Sequence, residues 1–145
     1  MTIQERVELY KSLFPECRAI KAYKQIIIAK GFRNASQQEK IELIRELDTV
    51  LADAYNVTIP VITFFVRDDN YVKATKEIFL TEPAVEPFLH CFRHHLQNEA
   101  REQSKKLLLV EEKKIDSRIP YKDTIYTMEG EDDARAWSRF IVEEA

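Results

Sequence analysis

The 145-residue sequence is poor in the residues that staple or break small folds, with two cysteines, two glycines and one tryptophan. Cys17 and Cys91 cannot build the multi-bridge framework of a small secreted domain, and the opening MTIQERVELYKSLF lacks the apolar core of a secretory signal. A soluble chain in a reducing, cytoplasmic compartment is the expectation. No apolar run approaches the roughly 20 residues that a bilayer demands, so no membrane is expected as a partner. Charge of one sign is also missing: 22 Lys and Arg face 25 Asp and Glu, a formal net charge of -3. Nucleic-acid binding needs a concentrated cationic excess, so nucleic acid is not an expected partner either.

What is present is enough for one domain, 1–145, without repeats or low-complexity tracts. A chain of this length buries roughly 70% of its unfolded surface and needs no structural metal, so a metal bound here is expected to be functional. Thr2 and Glu5 form a capping-box pair ahead of Ile3, Val7, Tyr10 and Phe14, which recur at helical spacing up to Pro15. A second helix is expected from Glu16 to Lys30, ended by Gly31. Ser36 and Glu39 repeat the capping-box pattern ahead of Ile44, Leu47, Leu51 and Tyr55, an apolar stripe that should stop near Asn56.

From Val57 the pattern becomes that of a strand, VTIPVITFFV, ending in the turn formers Arg67 to Asn70, with Lys76 to Thr81 as its partner. Pro83 and Pro87 suit the first turn of a helix running to about Gln103. Leu107 to Val110 fits either a short strand or an extension of that helix. A closing helix from about Gly130 to Glu144 carries Ala134, Trp137, Phe140 and Ile141 on one side. The whole reads as an α+β domain: residues 1–56 are expected to be helical, and residues 57–145 to form a small, mostly antiparallel sheet with two further helices.

All three histidines fall within six residues, in FLHCFRHHLQ. On a helix His90 and His94 lie one turn apart and can aim at a common point, as zinc-binding pairs do. The alternative is two unrelated histidines that share a face. A catalytic zinc takes three protein ligands and keeps one position open, and the acidic cluster Glu131-Asp132-Asp133, about 40 residues on, can supply a carboxylate from a second helix.

A strand, a short Pro-containing link, a His-x-x-x-His helix and a later helix opening with Glu-x-x-Ala resemble the gluzincin-type zincin metallopeptidases, in particular the small phage- and mobile-element-associated peptidases of the ImmA/IrrE kind. The resemblance covers about Ile62 to Ile141. It implies a zincin-like fold, zinc held by His90, His94 and Glu131, and a peptide or protein substrate or partner. It also implies an edge strand, matched by Ile78-Phe79-Leu80, that pairs with an extended substrate.

One position departs from the family pattern. The residue after the first His should be the Glu that serves as general base, and here it is Cys91. Three readings follow: a zinc site without hydrolysis, in which a Cys91 thiolate could even ligate the metal; a peptidase whose substitute base is Glu86, one turn before His90, or Glu129 or Asp132; and a buried Cys91 with no metal at all. A non-catalytic, phage-encoded binding or regulatory protein is the alternative to a metallopeptidase. Glu129 and Asp133 are alternatives to Glu131 as third ligand. The remaining expectations are simpler: His95 is a satisfied polar residue or outer-shell partner, Arg93 and Gln97 lie on an exposed helix face, Arg93 can pair with Glu86 or Glu129, Asp132 and Asp133 favour a helix N-terminus, and Trp137 packs in the core.

Overall fold

The computed structural model describes residues 12–103 and 122–145. The Thr2–Glu5 cap with its helix, and the Leu107–Val110 segment, lie outside them.

Helix α1, Glu16–Tyr23, runs on into a π-helical turn at Lys24–Ile28, and Gly31 then reverses the chain at φ +69°, a conformation that costs glycine nothing. Helix α2 spans Gln37–Tyr55. Its first turn is closed as expected: the Ser36 hydroxyl accepts from the Glu39 N–H, an arrangement that stabilises a helix by about 1 kcal/mol. Asn56 ends the helix at φ 53°, in the left-handed conformation that Asn tolerates better than most side chains. The two helices are fastened at Tyr55, whose hydroxyl donates to the Pro15 carbonyl and accepts from the Ala19 N–H. Phe14 packs edge-on against the same ring.

Three short strands follow: β1 Val61–Phe64, β2 Asn70–Val72 and β3 Glu77–Leu80. Their order is β1-β3-β2, with β1 parallel and β2 antiparallel to β3. The sheet is therefore mixed rather than mostly antiparallel, and β2, a strand that was not expected, starts at the last of the turn formers Arg67 to Asn70. The strand expected over Val57 to Val66 shrinks to Val61–Phe64; ahead of it the Val57 N–H bonds to the Ala52 carbonyl, and Thr58 bonds to His95 and Glu99. Ile78-Phe79-Leu80 is the central strand, so both of its hydrogen-bonding edges are occupied; it is not the edge strand that the family resemblance implied. Ile62, Ile78 and Tyr71 stand in register across the sheet, and all three point into the core.

Helix α3, Val85–Gln103, packs under this face, and helix α4, Lys122–Glu144, lies along α3 and α1. Phe88, Leu89, Phe92, Leu96 and Ala100 of α3 and Ala134, Trp137 and Ile141 of α4 are all buried. Phe140, expected on the same side of α4, is 39% exposed. The closing helix begins eight residues before Gly130, so Asp132 and Asp133 lie inside it and not in its first turn. The architecture is α+β, and among the described residues no helix is long and apolar enough to cross a membrane.

Candidate metal centre

The helical period decides which of the three histidines can meet. Residues 90 and 94 differ by about 40° around the axis, whereas residue 95 lies about 140° from residue 90. In the structure His90 and His94 point together toward α4, with their Nε2 atoms 3.2 Å apart. Glu131 completes the group: one carboxylate oxygen is 2.8 Å from His90 Nε2 and the other 2.7 Å from His94 Nε2. Among the described residues this is the one cluster of three or more His, Cys, Asp or Glu side chains close enough to share a metal ion. The side chains of His90, His94 and Glu131 are 24%, 17% and 37% exposed, so the cluster opens to solvent on one side.

The donor set fits a borderline metal such as zinc. Bonds of about 2.0–2.1 Å in a tetrahedron separate neighbouring ligand atoms by about 3.3 Å, close to the spacing of the two imidazoles here. Burial pushes the His90 pKa down, and the neighbouring His94 does the same, while Glu131 opposes them; the net effect favours the neutral ring that binds metal. Burial acts to raise the Glu131 pKa, but the two histidines and their hydrogen bonds outweigh it and hold the carboxyl below the usual range. The three converging atoms can all act as lone-pair donors, and a neutral imidazole carries a single N–H. Each imidazole can therefore give an Nε2 proton to a Glu131 oxygen, or turn its Nε2 lone pair to a cation held among the three side chains.

The other expected residues fall elsewhere. Cys91 is 3% exposed, does not belong to the ligand cluster, and burial raises its thiol pKa to about 12. Glu86 is exposed and lines an open cavity of about 970 Å³ with Tyr23, Phe32 and Lys40, where its charge helps raise the Tyr23 pKa. No residue of the histidine cluster lines that cavity. Asp132 is exposed and pairs with Arg135. Asp133, an alternative third ligand, is engaged by Arg93; the side chain of Glu129 lies outside the described residues.

Arg93 and Gln97 are buried, contrary to the exposed face expected for them, because α4 covers that side of α3. Arg93 is 2% exposed, forms a two-pronged pair with Asp133 at 2.8 and 3.2 Å, and lies over the Trp137 ring. Gln97 contacts His94 Nδ1 at 2.9 Å and reaches across to Gly130 and Asp133. These supporting residues had one trace in the sequence: Gln97 follows His94 by three positions, one helical turn.

His95 turns away from the cluster. It is fully buried and sits between Tyr71 and Thr58. Comparison of the chain with protein-family models, with curated proteins and with solved structures returned no match.

Proposed function

We propose that His90, His94 and Glu131 hold Zn²⁺ and that the protein is a zincin-like, metallopeptidase-related domain that has kept the metal and lost hydrolysis. The observation that carries this reading is the convergence of two imidazole nitrogens and a carboxylate, from two helices, within hydrogen-bonding distance of one another. A bound Zn²⁺ supplies Lewis acidity. Peptide hydrolysis also needs a base placed to accept a proton from the attacking water. The family position for that base is Cys91, whose buried thiol stays protonated at neutral pH. Glu86, the substitute candidate, is directed to the Tyr23 cavity. The protein then acts by binding a peptide or protein partner, a regulatory role compatible with the phage-associated proteins it resembles.

Elemental analysis and calorimetric titration test this directly. Metal-free protein is expected to take up one Zn²⁺ per chain, with His94→Ala and Glu131→Ala each abolishing uptake and the zinc-loaded wild type cleaving no peptide. Zinc at about 100 times its Kd should raise the unfolding free energy of the wild type by about 2.7 kcal/mol and leave His94→Ala unchanged. A wild type that binds no zinc removes the metal from this reading, and zinc-dependent cleavage removes the loss of hydrolysis.

A further inference from the structure

On the reading of the cluster as a zinc centre, we propose that Gln97 is its positioning residue: the Gln97 side-chain oxygen keeps a proton on His94 Nδ1, so that Nε2 is the atom presented to Glu131 and His90. Gln97 is 7% exposed, one turn beyond His94 on α3. Its amide nitrogen donates to the Gly130 carbonyl at 3.0 Å and to an Asp133 carboxylate oxygen at 2.8 Å. Both of these partners are acceptors. Rotating the amide by half a turn would set its oxygen against a carbonyl and a carboxylate, so the orientation is fixed by its surroundings. The oxygen is then left facing His94 Nδ1 at 2.9 Å, an arrangement that forms a hydrogen bond only when Nδ1 carries the proton.

The scaffold behind Gln97 is built for this. Arg93 holds Asp133 in place through both prongs of its guanidinium. Gly130 brings the backbone of α4 within reach, and a Cβ at that position would lie 3.1 Å from the Gln97 oxygen. A side chain there would press on the atom that receives the His94 proton. Four residues from two helices thus converge on one proton of one ligand. The consequence is chemical: a proton on Nε2 would block the lone pair that a metal needs and would have to leave on binding.

The test joins a metal-free readout to an affinity. Nitrogen-15 NMR of histidine-labelled apoprotein near pH 8, where an unperturbed imidazole is neutral, is expected to show His94 Nδ1 protonated in the wild type, against the pull of the Glu131 oxygen 2.7 Å from Nε2. In Gln97→Met, which keeps most of the volume, Nδ1 should lose the proton to Nε2, and zinc affinity measured by chelator competition should fall roughly 10- to 100-fold. The double variant Gln97→Glu/Asp133→Asn returns an acceptor to His94 and a donor to α4, and it should restore Nδ1 protonation and part of the affinity, the rest being lost because a carboxylate oxygen then faces the Gly130 carbonyl. An unprotonated Nδ1 in the wild type, or a Gln97→Met variant that loses stability with unchanged protonation and affinity, overturns the role given to Gln97. A wild type with Nδ1 protonated that binds no zinc supports that role and overturns the metal reading instead.

Discussion

His94 and His95 are adjacent in sequence and have opposite fates on the two faces of α3. On the inner face, His95 Nε2 donates to the Thr58 carbonyl at 2.7 Å, and Nδ1 accepts from the Tyr71 hydroxyl at 2.7 Å, which in turn accepts from Asn98 at 3.2 Å. Each ring nitrogen has a partner of the right kind, and burial pushes the His95 pKa down and keeps the ring neutral. On the outer face His90, His94 and Glu131 meet at hydrogen-bonding distance beside solvent, where the imidazoles can donate to the carboxylate or turn their lone pairs to a cation. The difference teaches that a histidine's role is settled by what surrounds its ring. A ring enclosed with one fixed partner on each nitrogen is a core residue, and rings gathered with a carboxylate at an open surface offer a place for a cation.

A buried acceptor without a partner gives the largest expected effect. Asp48 of α2 is 4% exposed, and one of its oxygens has no hydrogen-bond partner. Burial raises its pKa to about 8, with Arg45 acting weakly in the other direction. The folded chain therefore holds a proton on Asp48 that the unfolded chain has released above its ordinary pKa of 3.8. Stability from this group is complete below that value and falls by about 1.4 kcal/mol per pH unit as pH rises toward the folded-state pKa. Asp48→Asn should remove the slope and gain up to about 4 kcal/mol near pH 7, with the two proteins converging in acid. Denaturant unfolding across that pH range checks it. Equal slopes in both proteins would show that the carboxyl has found a partner, and that an unpaired polar atom is a poor guide in this fold.

Breaking the balanced face should cost somewhat less. His95→Leu keeps the bulk but leaves the Thr58 carbonyl and the Tyr71 hydroxyl buried without their ring partner, a loss of about 2–4 kcal/mol for two such groups. Zinc uptake should be unchanged, because His95 points away from the cluster. Calorimetric unfolding and zinc titration of the same variant separate the two faces. If His95→Leu weakens zinc binding without loosening the fold, the two faces are coupled through α3 and the contrast between them fails.

Local patterns make some of this legible in advance. The His90–His94 pair, the Ser36 cap and the Asn56 stop depend on contacts within one or two helical turns, and all three appear where spacing places them. The sheet depends on pairing between distant segments. Val61 pairs with Glu77 in parallel, and Asn70 to Val72, polar at one end and short, takes the far edge only because β3 offers it a register. Arg93 and Gln97 read as surface residues because nothing on α3 itself shows that α4 will cover them. Gly130 reads as a helix boundary in the sequence; in the structure it lies inside α4, where the absence of a Cβ lets the Gln97 side chain approach. Glu131 is reachable from the family pattern. Its supporting Asp133 is not, since its value lies in a partner 40 positions away.

The smallest effect tests which face Cys91 belongs to. It lies about 100° from His90 around the helix and about 40° from His95, which assigns it to the inner face. Its burial and raised pKa agree with that assignment, whereas Cys17 is exposed. A thiol reagent at neutral pH should therefore modify one cysteine of the native protein rapidly and the second only on unfolding, since the thiolate is the reactive form. Zinc should leave the slow rate unchanged except through any gain in global stability. Rapid native modification of Cys91 that zinc suppresses, in a variant carrying Cys17→Ser, would place the sulfur beside the metal. The cluster would then have a fourth protein ligand, a closed structural site in place of an open one, and the inner face would no longer be chemically inert.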